Sequence, residues 1–395
     1  MNRIGIIILF LAFIAKGVFA QNEKRAAVTI PFTLLDDKYV LIHPVINDRD
    51  TLTFYFDTGA TAALLDKTVA EEIGVKANYS QDVEGASGKK EYRIALNQIL
   101  SFGDLKVGEV HCVLEDISRL RNALSYHFDG VVGASILSQY KTELDFDNKV
   151  IRLYSLDTTL NLEDYTEHSF TFDNLLPIPQ LDLTMKMNNG KSYTGKVFFD
   201  SGAGVTLLVN TPYKEEHKLT EGMKVLKVQS DDINGKSISE EMTIKGIEFC
   251  GYQFSEMPIT LSSDKAGVSS YSGYLGILGN EIINRFNMVL DYASMKIYLK
   301  LNDLYDRPFK FPVSGIVLRK NRNGDIFVYS IQETSNAYKS GIRKDDIVLS
   351  IDKQISDDIR VYYKILDREG AKVKMKVLNR EDKKKDFKFV LKRLI

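Results

Sequence analysis

The sequence predicts a mostly β protein in which two pseudo-symmetric β lobes are followed by a small α+β domain. The first observation behind this is a pair of like stretches, Phe54-Tyr55-Phe56-Asp57-Thr58-Gly59-Ala60 and Val197-Phe198-Phe199-Asp200-Ser201-Gly202-Ala203. Each is a short apolar strand that ends on one carboxylate, in a turn opened by Gly. The second is the matched run of residues downstream of each Asp: Val131-Val132-Gly133 comes 76 residues after Asp57, and Ile277-Leu278-Gly279 comes 79 after Asp200. Twelve residues beyond those glycines stand Asp145 and Asp291, in the matching runs Leu144-Asp145-Phe146 and Leu290-Asp291-Tyr292. The third is texture: between these landmarks short alternating apolar runs are broken by frequent turns, which is the pattern of antiparallel β structure. A lone Asp-Thr-Gly occurs in many ordinary turns, because Asp and Gly both favour them. Two copies with matched strands before and matched glycines after form a lobe-sized repeat.

Length and composition set the frame. A chain of 395 residues exceeds what one hydrophobic core usually serves, so two or three domains are expected. The five His (His43, His111, His127, His168, His217) are scattered, without the close pairing of a zinc site. No Gly-x-Ser-x-Gly elbow and no phosphate-cradling Gly-Lys-Ser/Thr loop occurs, so serine-hydrolase and nucleotide chemistry have no support. No metal or cofactor is expected.

Residues 1–20 read as an export signal: Arg3 gives positive charge, Ile4 to Ala15 an apolar core, and Val18-Phe19-Ala20 a small-residue cleavage pattern. The apolar run is about 12 residues and a membrane span needs about 20, so a stable anchor is not expected. The mature protein is then periplasmic or extracellular. Export would permit a disulfide, but Cys112 and Cys250 fall at unmatched points of the repeat, and two buried thiols are expected instead.

The first lobe spans 21–155. It opens with the strands Val28-Thr29-Ile30 and Tyr39-Val40-Leu41-Ile42, and the polar turn Asn47-Asp48-Arg49-Asp50 precedes the Asp57 strand. Short helices are expected at Lys67 to Ile73 and Ser135 to Tyr140, the latter matched by Glu281 to Phe286. Residues 155–168 are polar and aperiodic, and read as the connection to a second lobe over 166–304. There Leu181 to Met185 and the Asn188-Asn189-Gly190 turn repeat the plan. Pro308 and Pro312 mark a further boundary. Residues 308–395 hold 21 Lys and Arg against 12 Asp and Glu, leaving the rest of the mature chain acidic. The Lys383-Lys384-Lys385 run falls at a hairpin turn and reads as a solvated face, so no nucleic-acid partner is expected.

Over roughly residues 28–300 the paired motifs resemble the aspartic peptidases of the pepsin and retropepsin group. The Ala after each Gly, with Leu64-Leu65-Asp66 and Val69 to Gly74 behind the first motif, looks more like the retropepsin type. Retropepsins pair two identical subunits, whereas this chain carries both halves. The resemblance implies that Asp57 and Asp200 are a catalytic pair acting on peptide or protein substrates. It implies that Thr58, Gly59, Ser201 and Gly202 support the two loops, and that the apolar-apolar-Gly segments pass beneath the aspartates. It also implies that the hairpin with Gly85-Ala86-Ser87-Gly88 and Tyr92 is the flap that closes over substrate, against the plainer reading of a surface hairpin. The matching Asn234-Gly235 reads as an ordinary tight turn. A second class remains beside the enzyme, a catalytically silent peptide-binding or scaffold protein on the same fold. Two retained aspartates favour the enzyme.

Residues 312–395 differ from both lobes. The strands Gly315-Ile316-Val317-Leu318 and Ile326 to Ile331, the short helix Ala337 to Gly341, and Asp345-Asp346 before Ile347 to Ile351 resemble a bacterial PDZ domain of the kind attached to exported proteases. Asn336, Ser340 and Asp345 depart from the usual Pro, Ala and Gly of that pattern. The resemblance implies that an extended peptide or a C-terminal tail adds to a sheet edge, with Gly315, Ile316 and Val317 facing its end.

Overall fold

The computed structural model describes residues 25–85, 88–172, 176–232, 235–321 and 323–395. Residues 1–24, in which the sequence places an export signal, and Ala86 and Ser87, placed by the sequence in the first hairpin's tip, lie outside them. The described chain is mostly β, in four sheets of ten, nine, six and five strands with few and short helices.

In the first half, strand Phe54–Phe56 runs parallel to Gly130–Val132, which is in turn antiparallel to Ala63–Asp66. The second half repeats this: Ser192–Phe199 runs parallel to Gly276–Leu278, itself antiparallel to Leu207–Val209. The apolar-apolar-Gly segments singled out in the sequence are therefore strands wedged between the two arms of each Asp turn. Apolar side chains dominate there because both faces are covered: Phe54, Phe56, Phe199 and Leu278 have no exposed surface. The Gly after each segment has its own cause. A Cβ on Gly133 would lie 1.8 Å from the carbonyl oxygen of Asp57, and one on Gly279 would lie 2.2 Å from that of Val205.

Lys141–Asp145 pairs antiparallel with Phe286–Asp291, joining the two halves in a six-stranded sheet. Val28–Pro31, a strand as the sequence expects, pairs with Val150–Tyr154 at one edge of this shared sheet. Here the fold differs from the sequence expectation in one place. At the other edge, Thr166–Ser169, expected as connection, is a strand against Lys296–Leu301. Leu144, Ile151, Leu153, Met288, Leu290, Ile297 and Leu299 line this sheet's fully buried face. Arg152 holds Glu143 at 2.9 Å and Asp145 at 3.0 Å on the other.

Helix Lys67–Glu72 stands where the sequence puts it, capped by Asp66, whose carboxylate accepts the Thr68 and Val69 amides. Ala134–Leu137 and Asn280–Ile283 are single turns at the two other expected places. Ser118–Leu124 is a helix that the sequence does not announce; its one signal is the pair Leu120 and Leu124, four residues apart, in an otherwise polar run.

Residues 316–390 form the five-stranded sheet, in the order Ile316–Lys320, Ile326–Ile331, Ile347–Ile351, Lys372–Leu378, Lys384–Val390. It encloses its own apolar cluster around Leu318, Val328, Ile342, Ile351, Leu366 and Met375. Helix Asn336–Ser340 is capped by Ser335 and ends on Gly341 at φ 115°. A second helix, Ile359–Leu366, capped by Asp358, lies across the edge strand Ile316–Lys320. Contacts of this unit with the rest of the chain include Gln332, which donates to the Lys227 carbonyl, and Arg393, 3.0 Å from Glu256.

Candidate active site

Each Asp turn is built by the same local bonds. The Asp57 amide donates to Val132 O (2.9 Å) and the Asp200 amide to Leu278 O (3.1 Å), so the wedged strand fixes each turn at its root. The Ala60 amide then closes back on Asp57 O at 3.1 Å, and the Ala203 amide on Asp200 O at 3.2 Å.

The turns meet across the pseudo-twofold axis. The Thr58 amide donates to Ser201 Oγ at 3.0 Å, the Ser201 amide donates to Thr58 Oγ1 at 2.9 Å, and the Thr58 hydroxyl donates to Phe199 O at 2.8 Å. Thr58 is fully buried and Ser201 nearly so, which leaves water no access to these bonds. The glycines carry the second contact. A Cβ on Gly59 would sit 2.5 Å from Asp200 Cγ, and one on Gly202 would sit 2.3 Å from Asp57 Oδ2. Each carboxyl group thus rests on the other half's glycine, where any side chain would displace it. Thr58, Gly59, Ser201 and Gly202, named from the sequence as loop support, are all at this junction.

The two carboxyl groups hydrogen-bond each other. Burial pushes Asp57 well above the usual carboxylate range, and the neighbouring charge of Asp200 adds to it. Burial also raises Asp200, opposed by the hydrogen bond it accepts from Asp57 and by the amides of Gly202 (2.8 Å) and Ala203 (3.1 Å) on its Oδ1. Two such groups in contact cannot both ionise cheaply, so they titrate as one unit that favours the singly protonated state. Such a pair can act as acid and base on one substrate at once.

Aromatic side chains to which the sequence assigned no role frame the site. Tyr55 donates its hydroxyl to Gly202 O at 3.1 Å, and the Tyr39 ring meets Tyr55 edge-on at 5.3 Å. Asn280, directly after Gly279, donates to Ser201 O at 3.1 Å. Tyr55 and Asn280 adjoin the paired motifs, a signal visible in the sequence; Tyr39 comes from a different strand and has no such signal.

Gly85, Gly88 and Tyr92 lie on one hairpin, Tyr79–Gly85 with Gly88–Phe102: the glycines pair with each other, and Tyr92 pairs with Gln81. The second half has a counterpart, Leu226–Asp232 with Gly235–Ile244 in matching register. Asn234 of the expected tight turn lies outside the described residues, and the strand Leu226–Asp232 adjoins helix Ser118–Leu124 of the first half. In the C-terminal unit Gly315 has φ 67°, its carbonyl accepts the Gln332 amide at 2.8 Å, and Ile316 and Val317 begin the edge strand. Cys112 and Cys250 are both free, and burial pushes each thiol up to about 12. Among the described residues no group of three His, Cys, Asp or Glu is arranged to hold a metal ion.

Residues 42–137 match a protein-family model described as aspartyl protease. The matched stretch runs from the end of the Tyr39–Ile42 strand to the end of the Ala134–Leu137 helix, and so includes Asp57-Thr58-Gly59 and Gly133. What this part of the chain is similar to is thus a class of hydrolases, the retropepsin-like aspartyl proteases, and the likeness supports proteolysis as the activity. No curated protein matches the chain.

Proposed function

We propose that the protein is an exported aspartic endopeptidase whose dyad, Asp57 and Asp200, is contributed by two lobes of one chain. The observation that carries this reading is the reciprocal seat of each carboxyl group on the opposite glycine. The ionised member of the pair takes a proton from a water held between the two groups. The protonated member donates to the oxygen of the scissile carbonyl as the water attacks its carbon. The tetrahedral intermediate then collapses as the amine leaves with a proton, without a covalent enzyme intermediate. The paired strands Tyr79–Gly85 and Gly88–Phe102 belong to the flap over the bound chain, and residues 312–395 are a PDZ domain that takes an extended peptide or C-terminal tail. Export to the periplasm or beyond follows from the apolar leader.

Asp57→Asn or Asp200→Asn alone is expected to abolish cleavage of a peptide library by the purified monomer while leaving its thermal unfolding unchanged within a few degrees. An amide has neither the charge of the base nor the acidity of the donor. Cleavage surviving in either variant refutes the intramolecular dyad and returns the fold to the silent peptide-binding reading.

A further inference from the structure

The strand Ile316–Lys320 has a neighbour on one side only and is the edge of its sheet. An edge strand offers alternate residues whose N–H and C=O both point outward, and an added peptide strand binds to those. At this edge Leu318 is such a residue, and it is already occupied. Its amide donates to the Tyr363 hydroxyl at 2.8 Å, and that hydroxyl in turn lies 3.4 Å from the Leu318 carbonyl, to which it donates. One side chain from helix Ile359–Leu366 therefore meets both groups that a peptide backbone would meet.

The same edge is covered from outside its own unit. Helix Ser118–Leu124 of the first half packs beside Ile316–Lys320. One turn before Tyr363, the Arg360 guanidinium lies over the Tyr126 ring, 5.5 Å from its centre. The helix bearing Tyr363 packs Ile359, Tyr362 and Leu366 into the unit's own core. Arg360, Val361 and Tyr363 line an open cleft of about 890 Å³, whose other walls include Tyr39, Gly204 and Thr206. The Tyr363 side chain therefore has room to turn off the edge strand while the helix keeps its close-packed seat.

We propose that the open edge of Ile316–Lys320 is a masked peptide-binding site, with Tyr363 as the mask and the Arg360–Tyr126 contact as its latch. The proposal rests on the peptide-binding reading of the C-terminal unit and specifies how that site is controlled. An extended peptide gains the edge only when the Tyr363 hydroxyl leaves Leu318 and the side chain turns into the cleft that Gly204 also lines. Gly204 stands four residues after Asp200, so occupancy of the edge is felt next to the candidate catalytic loop.

The test uses the whole protein carrying Asp200→Asn, so that no peptide is cut, on an immobilised array of ten-residue peptides with free carboxyl ends. Tyr363→Phe in the same background removes the hydroxyl and keeps the ring, and is expected to bind the same peptides about tenfold more tightly, as loss of two competing hydrogen bonds implies. Hydrogen exchange at the Leu318 amide is expected to quicken about tenfold in that variant without peptide. Arg360→Gln, which loosens the latch and leaves the hydroxyl, is expected to tighten peptide binding in the same direction. Equal binding by all three proteins overturns the mask and leaves the peptide-binding reading standing. Binding by none of them overturns that reading and the mask with it.

Discussion

Thr58 and Ser201 carry the pairing of the two Asp turns through side-chain-to-backbone bonds, which is why their residue types matter more than their size. Thr58→Val keeps shape and burial but leaves Phe199 O and the Ser201 amide without partners. At about 1–3 kcal/mol for each of the two buried groups left unpaired, the loss in unfolding free energy should total about 2–6 kcal/mol. Urea denaturation measures it, and a cost below about 1 kcal/mol would show that the turns are held by the wedged strands alone. Ala60 and Ala203 bear on pH. In pepsin-like members a hydroxyl commonly follows the Gly and can bond the outer carboxylate oxygen, lowering the pKa by favouring the charged form. Ala203 offers Asp200 only its backbone amide. With burial and mutual repulsion raising the pair, the singly protonated form persists to higher pH. The kcat/KM profile should be a bell with its maximum at roughly pH 5–7. Ala60→Ser with Ala203→Thr adds donors to the charged form, so the acidic limb should move to lower pH. A wild-type maximum below about pH 3.5, or a limb that stays in place, assigns the dyad's pKa to other groups.

At the scale of elements, the wedged strands are what turn a common tripeptide into a site. They were legible in the sequence because the glycine after each is forced by contact: Gly133 and Gly279 have no room for a Cβ. Gly133→Ala must push the Asp57 carbonyl aside and should cost at least about 3 kcal/mol in stability and most of the activity. Gly108, where an added Cβ would meet nothing within 4 Å, is the control. Its change to Ala should stay within about 0.5 kcal/mol. Equal effects at the two positions, compared by thermal unfolding, would deny the wedge its role. Elements without such a local signature were not legible. Helix Ser118–Leu124 is half polar and gains its stability from packing rather than propensity. Helix Ile359–Leu366 does carry a local signature, the Asp358 cap with Ile359, Tyr362 and Leu366 on one face, and still passed unread.

For the whole molecule, the separate core of residues 316–390 implies that the chain before it can fold without it. A chain ending at Leu304 should keep its cooperative unfolding and cut short peptides, with a lower Tm, because it loses the Arg393–Glu256 and Gln332–Lys227 contacts. Failure of that chain to fold, seen by circular dichroism, would make the C-terminal unit a structural part of the halves it touches. Taken by itself, the sequence determined what depends on neighbouring residues. The mostly β class, the duplicated Asp turns, the glycines after the wedged strands and the capped Lys67–Glu72 helix are all written in periodicity and steric need over a few positions. Only the tertiary structure decided which strands from distant parts share a sheet. The pairing of Lys141–Asp145 with Phe286–Asp291, the place of Val28–Pro31 at that sheet's edge and the Tyr363 hydroxyl on Leu318 join residues far apart in the chain. Such contacts are chosen by which apolar faces and unpaired backbone groups remain to be covered once the local elements exist, and no short stretch of sequence records that choice.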